Sequence, residues 1–236
     1  MLRTGEVHVW SALLDAPDED TARLAACLSS DEAERAARFR FPRDRRRFVV
    51  SRAAARNILG GYLGIPAREV AIRTDRHGKP RLDSTRHGTP LRFNVSHSHD
   101  LALVALGGRE IGVDVEAGRP ACDADALVGR YFSRQELDEY LALAPAERSR
   151  AFLAAWTLKE AYLKARGDGL AGGLDGCTVT MHPDAPARLI AVRARPGEAG
   201  RWTFVRLAPA PGYVGAVAVG GPIAALREWT WNRATQ

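Results

Sequence analysis

The sequence predicts an α+β protein built from two similar α/β halves that pack against each other as a pseudo-dimer. Segments with strand-like alternation are interspersed with segments of helical periodicity, and their order recurs in the second part of the chain. With 236 residues, of which 46% are hydrophobic and 26% charged, the chain is long enough for a core in each half. We expect the first half over residues 1–106 and the second over 107–236.

The first half is predicted to run from strand to helix and back to strand. Val7 to Trp10 predicts a short strand, and residues 31–39 predict a charged helix for which Ser30 can serve as N-cap. Residues 47–63 predict a longer helix, because apolar side chains recur there at roughly helical spacing and a glycine and a proline follow. Residues 68–106 predict strands separated by turns.

The second half repeats this plan when the chain is laid on itself with a shift of 104 residues. The matched positions include Val9 with Val113, Ser29 with Ser133, and Phe48 with Phe152. Chance similarity of two α/β segments is the competing interpretation. Under this shift, carboxylates of the second half fall on apolar or basic residues of the first: Asp114 on Trp10, Glu116 on Ala12, and Glu160 on Arg56. If the halves meet symmetrically, one side of their junction is acidic and the other basic, which suits an anion bound through a metal ion.

Composition argues against several classes of protein. No apolar run approaches the roughly 18 residues of a membrane helix, and Glu6 and His8 interrupt the N-terminus, so we expect a cytoplasmic protein with no membrane partner. The three cysteines lack C-x-x-C spacing, which predicts neither a disulfide framework nor a zinc site. The formal charge of +6 favours anionic partners such as nucleotides, nucleic acids or acidic proteins.

Asp114 and Glu116 form the first candidate site. They belong to the segment IGVDVE at 111–116, whose alternation predicts a strand with both carboxylates on one face. Such a pair of oxygen ligands can hold Mg²⁺ together with phosphate oxygens and water. The competing interpretation is an edge strand with a solvated acidic face.

A helical row forms the second candidate site. The segment WTLKEAYLK at 156–164 predicts a helix on which Trp156, Glu160 and Lys164 follow one another at spacings of four residues. An ordinary surface pair of Glu and Lys would leave the same pattern. Joined to the acidic strand, the row supplies a third carboxylate and a cation.

Two further segments carry polar groups that suit a phosphate. FNVSHSH at 93–99 predicts a strand that ends in a turn, and Ser96 and His97 can donate hydrogen bonds to an anion. A metal site through His97 and His99 is an alternative, although no Cys or third His lies nearby. The segment GKPR at 78–81 predicts a tight turn that presents a cation.

In this order, GKP, FNVSHS, IGVDVE and WTLKEAYLKARGDGL closely resemble the signature of the 4′-phosphopantetheinyl transferase superfamily. The two-half length resembles its Sfp-type, monomeric branch. The similarity also includes LSSDEAERAARF and the D-x-x-R-F segment at 44–48, so it covers about residues 28–170. The resemblance implies the fold of that superfamily and an enzyme that moves 4′-phosphopantetheine from coenzyme A to a serine of an apo acyl or peptidyl carrier protein. The products would be the holo-carrier and 3′,5′-ADP.

The resemblance also implies roles for individual residues. Asp114, Glu116 and Glu160 match the metal-binding acids of the family, which would hold Mg²⁺, or Mn²⁺ as a substitute, on the pyrophosphate of coenzyme A. Glu160 also matches the general base for the carrier serine, and Lys164 matches a lysine that contacts the phosphates and assists the leaving group. Residues that match the coenzyme A pocket are Arg35, Arg47, Lys79, Pro80, Ser96, His97 and Lys164.

The chain departs from the family pattern at two places. The first charged helix offers Arg35 where several family members have lysines, which affects how the nucleotide is anchored. His99 stands where the family often has glycine, and we expect this to be a surface variation.

Two other functions are alternatives to the transferase. A nucleic-acid-binding protein could use the arginine run at 40–47, but aromatic residues make up only 7% of the chain and no recognised nucleic-acid motif accompanies the run. We interpret the run as partly a solvated helix face and partly a phosphate pocket. A degenerate scaffold would not need all three acids and Lys164. Since carrier proteins are usually acidic near the modified serine, we expect a basic docking rim, partly formed by the predicted loop from Arg119-Pro120 to about Tyr131.

Overall fold

The computed structural model describes residues 2–118, 123–167 and 173–233. The described strands are β1 (Glu6–Leu13), β2 (Ile72–Thr74), β3 (Pro80–Leu82), β4 (Arg92–Ser98), β5 (Leu101–Gly107), β6 (Ile111–Ala117), β7 (Cys177–Val179), β8 (Leu189–Val192), β9 (Trp202–Leu207), β10 (Tyr213–Gly220) and β11 (Ala225–Thr230). The α-helices are α1 (Asp18–Ala25), α2 (Ser30–Ala37), α3 (Pro42–Leu63), α4 (Ser84–His87), α5 (Ala124–Tyr131), α6 (Arg134–Ala142) and α7 (Pro145–Arg166). Short 3₁₀ turns lie at Ala67–Glu69, Leu174–Gly176 and Ala199–Arg201.

The larger sheets of the described chain have matching strand orders. The first is ordered β11-β1-β5-β4 and the second β6-β10-β9, so β1, β5 and β4 correspond to β6, β10 and β9. Pairing is antiparallel throughout, except that β11 lies parallel to β1 and adds the end of the chain to the first sheet. The prediction of an α+β fold with two similar halves is therefore confirmed.

The core lies in three layers that follow from strand alternation. Between the sheets, apolar side chains of β1, β5, β6 and β10 form one buried cluster. On its other face each sheet is covered by a 22-residue helix, α3 in the first half and α7 in the second. Both helices begin with a proline in the first turn, where the missing N–H costs no hydrogen bond, and both end at a left-handed glycine, Gly64 or Gly167.

The helix starts differ from those expected from the sequence. Ser29, and not Ser30, is the N-cap of α2, and the Glu32 carboxylate accepts a hydrogen bond from the Ser29 N–H at 3.1 Å. Pro42, which follows the first charged helix, begins α3, so this helix starts before the predicted position. The segment predicted as a loop up to Tyr131 is helical from residue 124, because Asp123 caps α5 by accepting from two backbone N–H groups.

The repeat aligns the strands as predicted and the long helices one residue differently. Val9 and Val113 both face the core between the sheets, which agrees with the predicted shift. Pro42 and Pro145 occupy equivalent first helical positions, however, because the connection after the capping serine is one residue shorter in the second half. The counterpart of Arg56 is therefore Lys159 and not Glu160.

Aromatic side chains occupy the position in the first half that corresponds to the acidic strand. The Tyr62 hydroxyl lies 2.5 Å from His8 Nδ1 and accepts a hydrogen bond from Trp10 Nε1 at 3.1 Å. Trp229 of β11 stacks on Trp10 with ring centroids 5.1 Å apart. Because Trp10 is the counterpart of Asp114, these rings fill the space where the second half carries carboxylates.

The two described cysteines differ in their burial. Cys27 and Cys177 carry free thiols, whereas Cys122 lies outside the described residues. Burial raises the pKa of the Cys177 thiol to about 11, which makes it unreactive. Within the described parts of the chain, no helix is both long enough and apolar enough to cross a membrane.

Gly112 allows α7 to lie directly against β6. A Cβ atom added at this position would be 2.1 Å from the Ala161 carbonyl oxygen and 2.3 Å from the Ala165 backbone nitrogen. Both contacts are with helix backbone, which cannot rotate away as a flexible side chain can. The close approach brings the carboxylates of β6 next to the side chains of α7.

We predict that Gly112→Ala lowers the free energy of unfolding by about 3 kcal/mol or more, since the helix must move off the sheet. Gly108→Ala is the matched control, because Gly108 is exposed and a Cβ there meets no atom within 4 Å. The control should change stability by less than about 0.5 kcal/mol. Urea unfolding followed by circular dichroism measures both, and equal stability of the two variants would contradict the close contact.

Candidate active site

The candidate site lies where the edge strand of one sheet meets the edge strand of the other. Asn94, Ser96 and Ser98 alternate along β4 and face β6. Asn94 Oδ1 accepts a hydrogen bond from the Val113 N–H at 2.9 Å, and Ser98 Oγ accepts one from the Ala117 N–H at 3.3 Å. Polar side chains thus connect the two strands across the junction.

Asp114 is the buried centre of this site, with only 2% of its surface exposed. Its Oδ1 atom accepts hydrogen bonds from Ser96 Oγ at 2.8 Å and from Lys164 Nζ at 2.5 Å. Its Oδ2 atom is also buried but has no hydrogen-bond partner among the described residues. A buried carboxylate oxygen without a partner is costly, so this atom is suited to bind a cation.

Glu116 and Glu160 share the electrostatic environment of Asp114. Burial raises the pKa of Glu116, and the Asp114 carboxylate raises it further, against a lowering by the Ser98 hydrogen bond and Lys164. Burial also raises the pKa of Glu160, opposed by Lys164 and reinforced by Asp114 and Glu116. The three carboxylates therefore repel one another in a partly desolvated place, with Lys164 as a common counter-ion.

The metal prediction has support from chemistry but not from a formed metal centre. Within residues 2–118, 123–167 and 173–233, no group of three or more His, Cys, Asp or Glu side chains lies in an arrangement ready to hold a metal ion. The alternative metal site through His97 and His99 is not supported by the described residues either. The unpartnered oxygen of Asp114 and the mutual repulsion with Glu116 and Glu160 nevertheless match the oxygen-rich ligand set that Mg²⁺ prefers.

A cleft of about 270 Å³ opens beside Glu160 and Lys164. Glu160, Leu163 and Lys164 of α7 form one wall, and Asn94 and Val95 of β4 form another. The remaining lining residues come from the turn before β3 and the end of α7: His77, Gly78, Lys79, Pro80 and Gly167. The structure thus brings the predicted residues Lys79, Pro80, Glu160 and Lys164 together.

Lys79 uses its ammonium group inside the protein. Its Nζ atom donates to the Ala165 carbonyl at 2.7 Å, to the Ile111 carbonyl at 3.2 Å and to Glu110 Oε2 at 3.5 Å. Burial lowers the pKa of Lys79 to about 8, although Glu110 acts in the opposite direction. Lys79 therefore ties the end of α7 to the start of β6, while its aliphatic stem contributes to the cleft.

Ser96 and His97 lie on opposite faces of β4. Ser96 is buried against Asp114, whereas the exposed His97 faces away from the second sheet. Partial desolvation lowers the pKa of His97, and nearby cations lower it further: Lys164, Arg52, Arg35 and Arg47. A group of positive charges around one imidazole favours the binding of an anion. We call His97 and these four cations the cationic cluster.

Arg52 is a member of this cluster that the sequence analysis missed. The guanidinium groups of Arg35 and Arg52 lie over the Phe48 ring at 5.3 and 5.4 Å from its centroid. Arg47 is held at 2.6 Å by Asp100 in the turn after β4. Arg52 follows Phe48 by one helical turn, so its spacing in α3 was the signal that could have identified it.

Both halves of the chain are similar in sequence to known proteins. Residues 110–218 match the family model described as the 4′-phosphopantetheinyl transferase superfamily, and residues 15–108 match the one described as 4′-phosphopantetheinyl transferase, N-terminal. The chain is 42% identical to the 4′-phosphopantetheinyl transferase HetI of Nostoc sp. over 221 residues, which cover 93% of this chain and 90% of that protein. This chain belongs to the 4′-phosphopantetheinyl transferase superfamily.

More distant members of the superfamily are also similar. The 4′-phosphopantetheinyl transferase Sfp of Bacillus subtilis is 26% identical over 180 residues, which cover 75% of this chain and 78% of Sfp. This similarity supports the Sfp-type branch. A crystal structure of the holo-[acyl-carrier-protein] synthase of Thermotoga maritima aligns with 48% of this chain and 63% of its own chain, at 19% identity and a TM-score of 0.39.

Lys159, which directly precedes Glu160, has a structural position in this superfamily member. It forms an ion pair with Glu136 at 2.5 Å in which both side chains are fully buried. Lys159 also donates to the Cys177 carbonyl, and Glu136 accepts a hydrogen bond from the Val179 N–H at 2.7 Å. The pair joins α6, α7 and β7, so adjacent residues of α7 point into the core and into the cleft.

We predict that Lys159→Met lowers the free energy of unfolding by about 3–5 kcal/mol, because Glu136 would remain charged and buried without its cation. Arg134→Met removes a cation from an exposed pair with Asp138 and serves as the control. The control should cost less than about 1 kcal/mol. Thermal and urea unfolding measure both variants, and comparable losses would contradict the buried role of Lys159.

Proposed function

We propose that this protein transfers the 4′-phosphopantetheine group of coenzyme A to a serine of an apo acyl carrier or peptidyl carrier protein, with Mg²⁺ held by Asp114, Glu116 and Glu160. The observation that carries the metal assignment is the buried Oδ2 atom of Asp114, which has no partner among the described residues. Two further carboxylates share its environment, and burial with mutual repulsion raises the pKa of both. Mn²⁺ is expected to substitute, since it accepts the same oxygen ligands.

The chemistry is a displacement at the phosphorus atom attached to pantetheine. The carrier serine oxygen forms a bond to this phosphorus, the bond to the leaving phosphate oxygen breaks, and 3′,5′-ADP departs. A bound Mg²⁺ would supply positive charge against the oxygens of the pyrophosphate. The protein must also remove the serine proton and offset charge on the leaving group.

We assign these two tasks to Glu160 and Lys164, and the fact that both line the cleft supports the assignment. Burial and the neighbouring acids raise the pKa of Glu160, which makes its carboxylate a stronger base for the serine proton. Lys164 lies one turn further along α7, where its ammonium group can offset charge on the departing phosphate. In the described structure this ammonium group is engaged with Ser96 and Asp114.

We assign the nucleotide end of coenzyme A to the first half and the metal-binding acids to the second, with the division at 106 and 107. Arg35, Arg47 and His97 belong to the cationic cluster, and Arg52 adds a cation to it. Lys79 and Pro80 contribute walls of the cleft. Ser96 is better suited to hold Asp114 than to contact the nucleotide, because its hydroxyl proton is already donated there.

The carrier protein is expected to approach an open side of the cleft. Residues 119–122 of the expected docking rim lie outside the described residues, but α5 follows them and carries Arg130 next to Tyr131. We propose that the enzyme works as a monomer, because one chain supplies both the acids and the cationic cluster. We also propose that it acts in the cytoplasm, without nucleic-acid or membrane partners.

The proposed activity predicts that an apo carrier protein incubated with coenzyme A and Mg²⁺ gains the mass of one phosphopantetheine arm. Glu160→Gln should slow the gain by about 10²–10⁴-fold, as expected for loss of a general base, while leaving the fold intact. Glu139→Gln, on the exposed face of α6, is the matched control and should retain full activity. Intact-mass spectrometry measures the product. No gain with carriers from several synthases, despite measurable binding of coenzyme A, would contradict the proposal.

The metal assignment predicts that Mg²⁺ raises the melting temperature, and that this effect grows with pH. Folding raises the pKa of Glu116 and Glu160 above the ordinary value of 4.5, so without metal their contribution to stability falls as the pH rises above that value. Mg²⁺ binds the ionised carboxylates and offsets this loss, whereas at acidic pH bound protons exclude it. Scanning fluorimetry of the wild type and Asp114→Asn over a pH series measures the effect. An equal shift in both proteins would place the metal elsewhere.

A further inference from the structure

The hydroxyl of Ser98 links the backbone of β6 to the side chain of Glu116. Ser98 is the last residue of β4 and is half-buried. Its Oγ atom accepts a hydrogen bond from the Ala117 N–H at 3.3 Å and donates to Glu116 Oε2 at 2.9 Å. A backbone N–H cannot accept a hydrogen bond, so of these two partners the carboxylate receives the single proton of the hydroxyl.

The Glu116 carboxylate depends more on its hydrogen bond from Ser98 than the Asp114 carboxylate depends on either of its two hydrogen bonds. Asp114 receives both a hydroxyl and an ammonium group, whereas Ser98 is the one hydrogen-bond donor to Glu116 within the described chain. A glutamate side chain has several rotatable bonds, so an unsupported carboxylate loses orientation and pays more entropy when it is held in place.

The turn that carries Ser98 is itself held from both halves of the molecule. The Asp100 carboxylate accepts from Arg47 of α3 at 2.6 Å, and the Asp100 N–H donates to the Tyr213 hydroxyl of β10 at 3.4 Å. Between Ser98 and Asp100, His99 adopts a left-handed backbone conformation with φ of 50°, and its Nδ1 atom lies 3.4 Å from Ser98 Oγ. A non-glycine residue in this conformation costs about 1 kcal/mol, which the surrounding contacts must offset.

From this geometry we propose that Ser98 is a positioning residue that holds the Glu116 carboxylate in the orientation needed to bind the divalent cation. The inference rests on the proposed function, because it takes Glu116 as a ligand. Hydrogen bonds of this kind orient the groups that bind a metal, and their loss typically weakens metal affinity by about 10–100-fold. Ser98 acts through Glu116 and touches neither substrate in this assignment.

Ser98→Ala and Ser98→Thr test the proposal, since threonine keeps the hydroxyl. Titration calorimetry of the carrier-free enzyme with Mg²⁺, in the presence of coenzyme A, should show about 10–100-fold weaker binding for Ser98→Ala and near wild-type binding for Ser98→Thr. In the transfer assay the Mg²⁺ concentration for half-maximal rate should rise by the same factor. The maximal rate at saturating Mg²⁺ should recover to within about threefold of wild type, because the ligand itself remains.

Ser30→Ala is the matched control, because Ser30 is exposed on α2 and its hydroxyl donates to the adjacent Asp31. An unchanged Mg²⁺ affinity in Ser98→Ala, with Asp114→Asn strongly weakened, would overturn the role of Ser98 and leave the proposed function intact. Unchanged affinity in both variants would instead show that the metal binds elsewhere, and would overturn the metal assignment and this inference together.

Discussion

The hydrogen bonds between β4 and β6 are the interaction on which the candidate site depends. Asn94, Ser96 and Ser98 use their side chains to join the edge of the first sheet to the edge of the second. An exposed strand edge invites unwanted pairing, and here it is covered within one chain. Because these groups reach toward β6, the same contacts that hold the halves together also orient the carboxylates of Asp114 and Glu116.

The two halves share a plan but differ in what lies between strand and long helix. In the second half, Gly112 lets α7 approach the backbone of β6, so Lys164 of α7 contacts Asp114 of β6, and Glu160 and Lys164 line the cleft. In the first half, His8, Trp10 and Tyr62 fill the equivalent space with rings. The second half therefore carries the acidic site, while Arg47 and Arg52 of α3 in the first half act electrostatically on His97.

Local patterns predicted much of the fold and the outline of the site. Alternation placed Asp114 and Glu116 on one strand face, and helical spacing placed Glu160 and Lys164 on one side of α7. Patterns failed where an interaction comes from a distant part of the chain. Lys79 looked like an exposed cation in a turn, yet it is buried because the carbonyls of Ile111 and Ala165 accept its protons.

By itself the sequence determined the long helices, several of the strands, the outline of the repeat and the set of chemical groups, since these follow from residue type and from spacing along a single strand or helix. It also carried the resemblance that identified the superfamily. The tertiary structure alone decided which neighbour of the pair Lys159 and Glu160 enters the core, because that depends on how α7 is rotated against β6. It also decided that Ser96 donates a hydrogen bond to Asp114 while His97 lies in the cationic cluster, because adjacent residues of β4 lie on opposite faces of the strand.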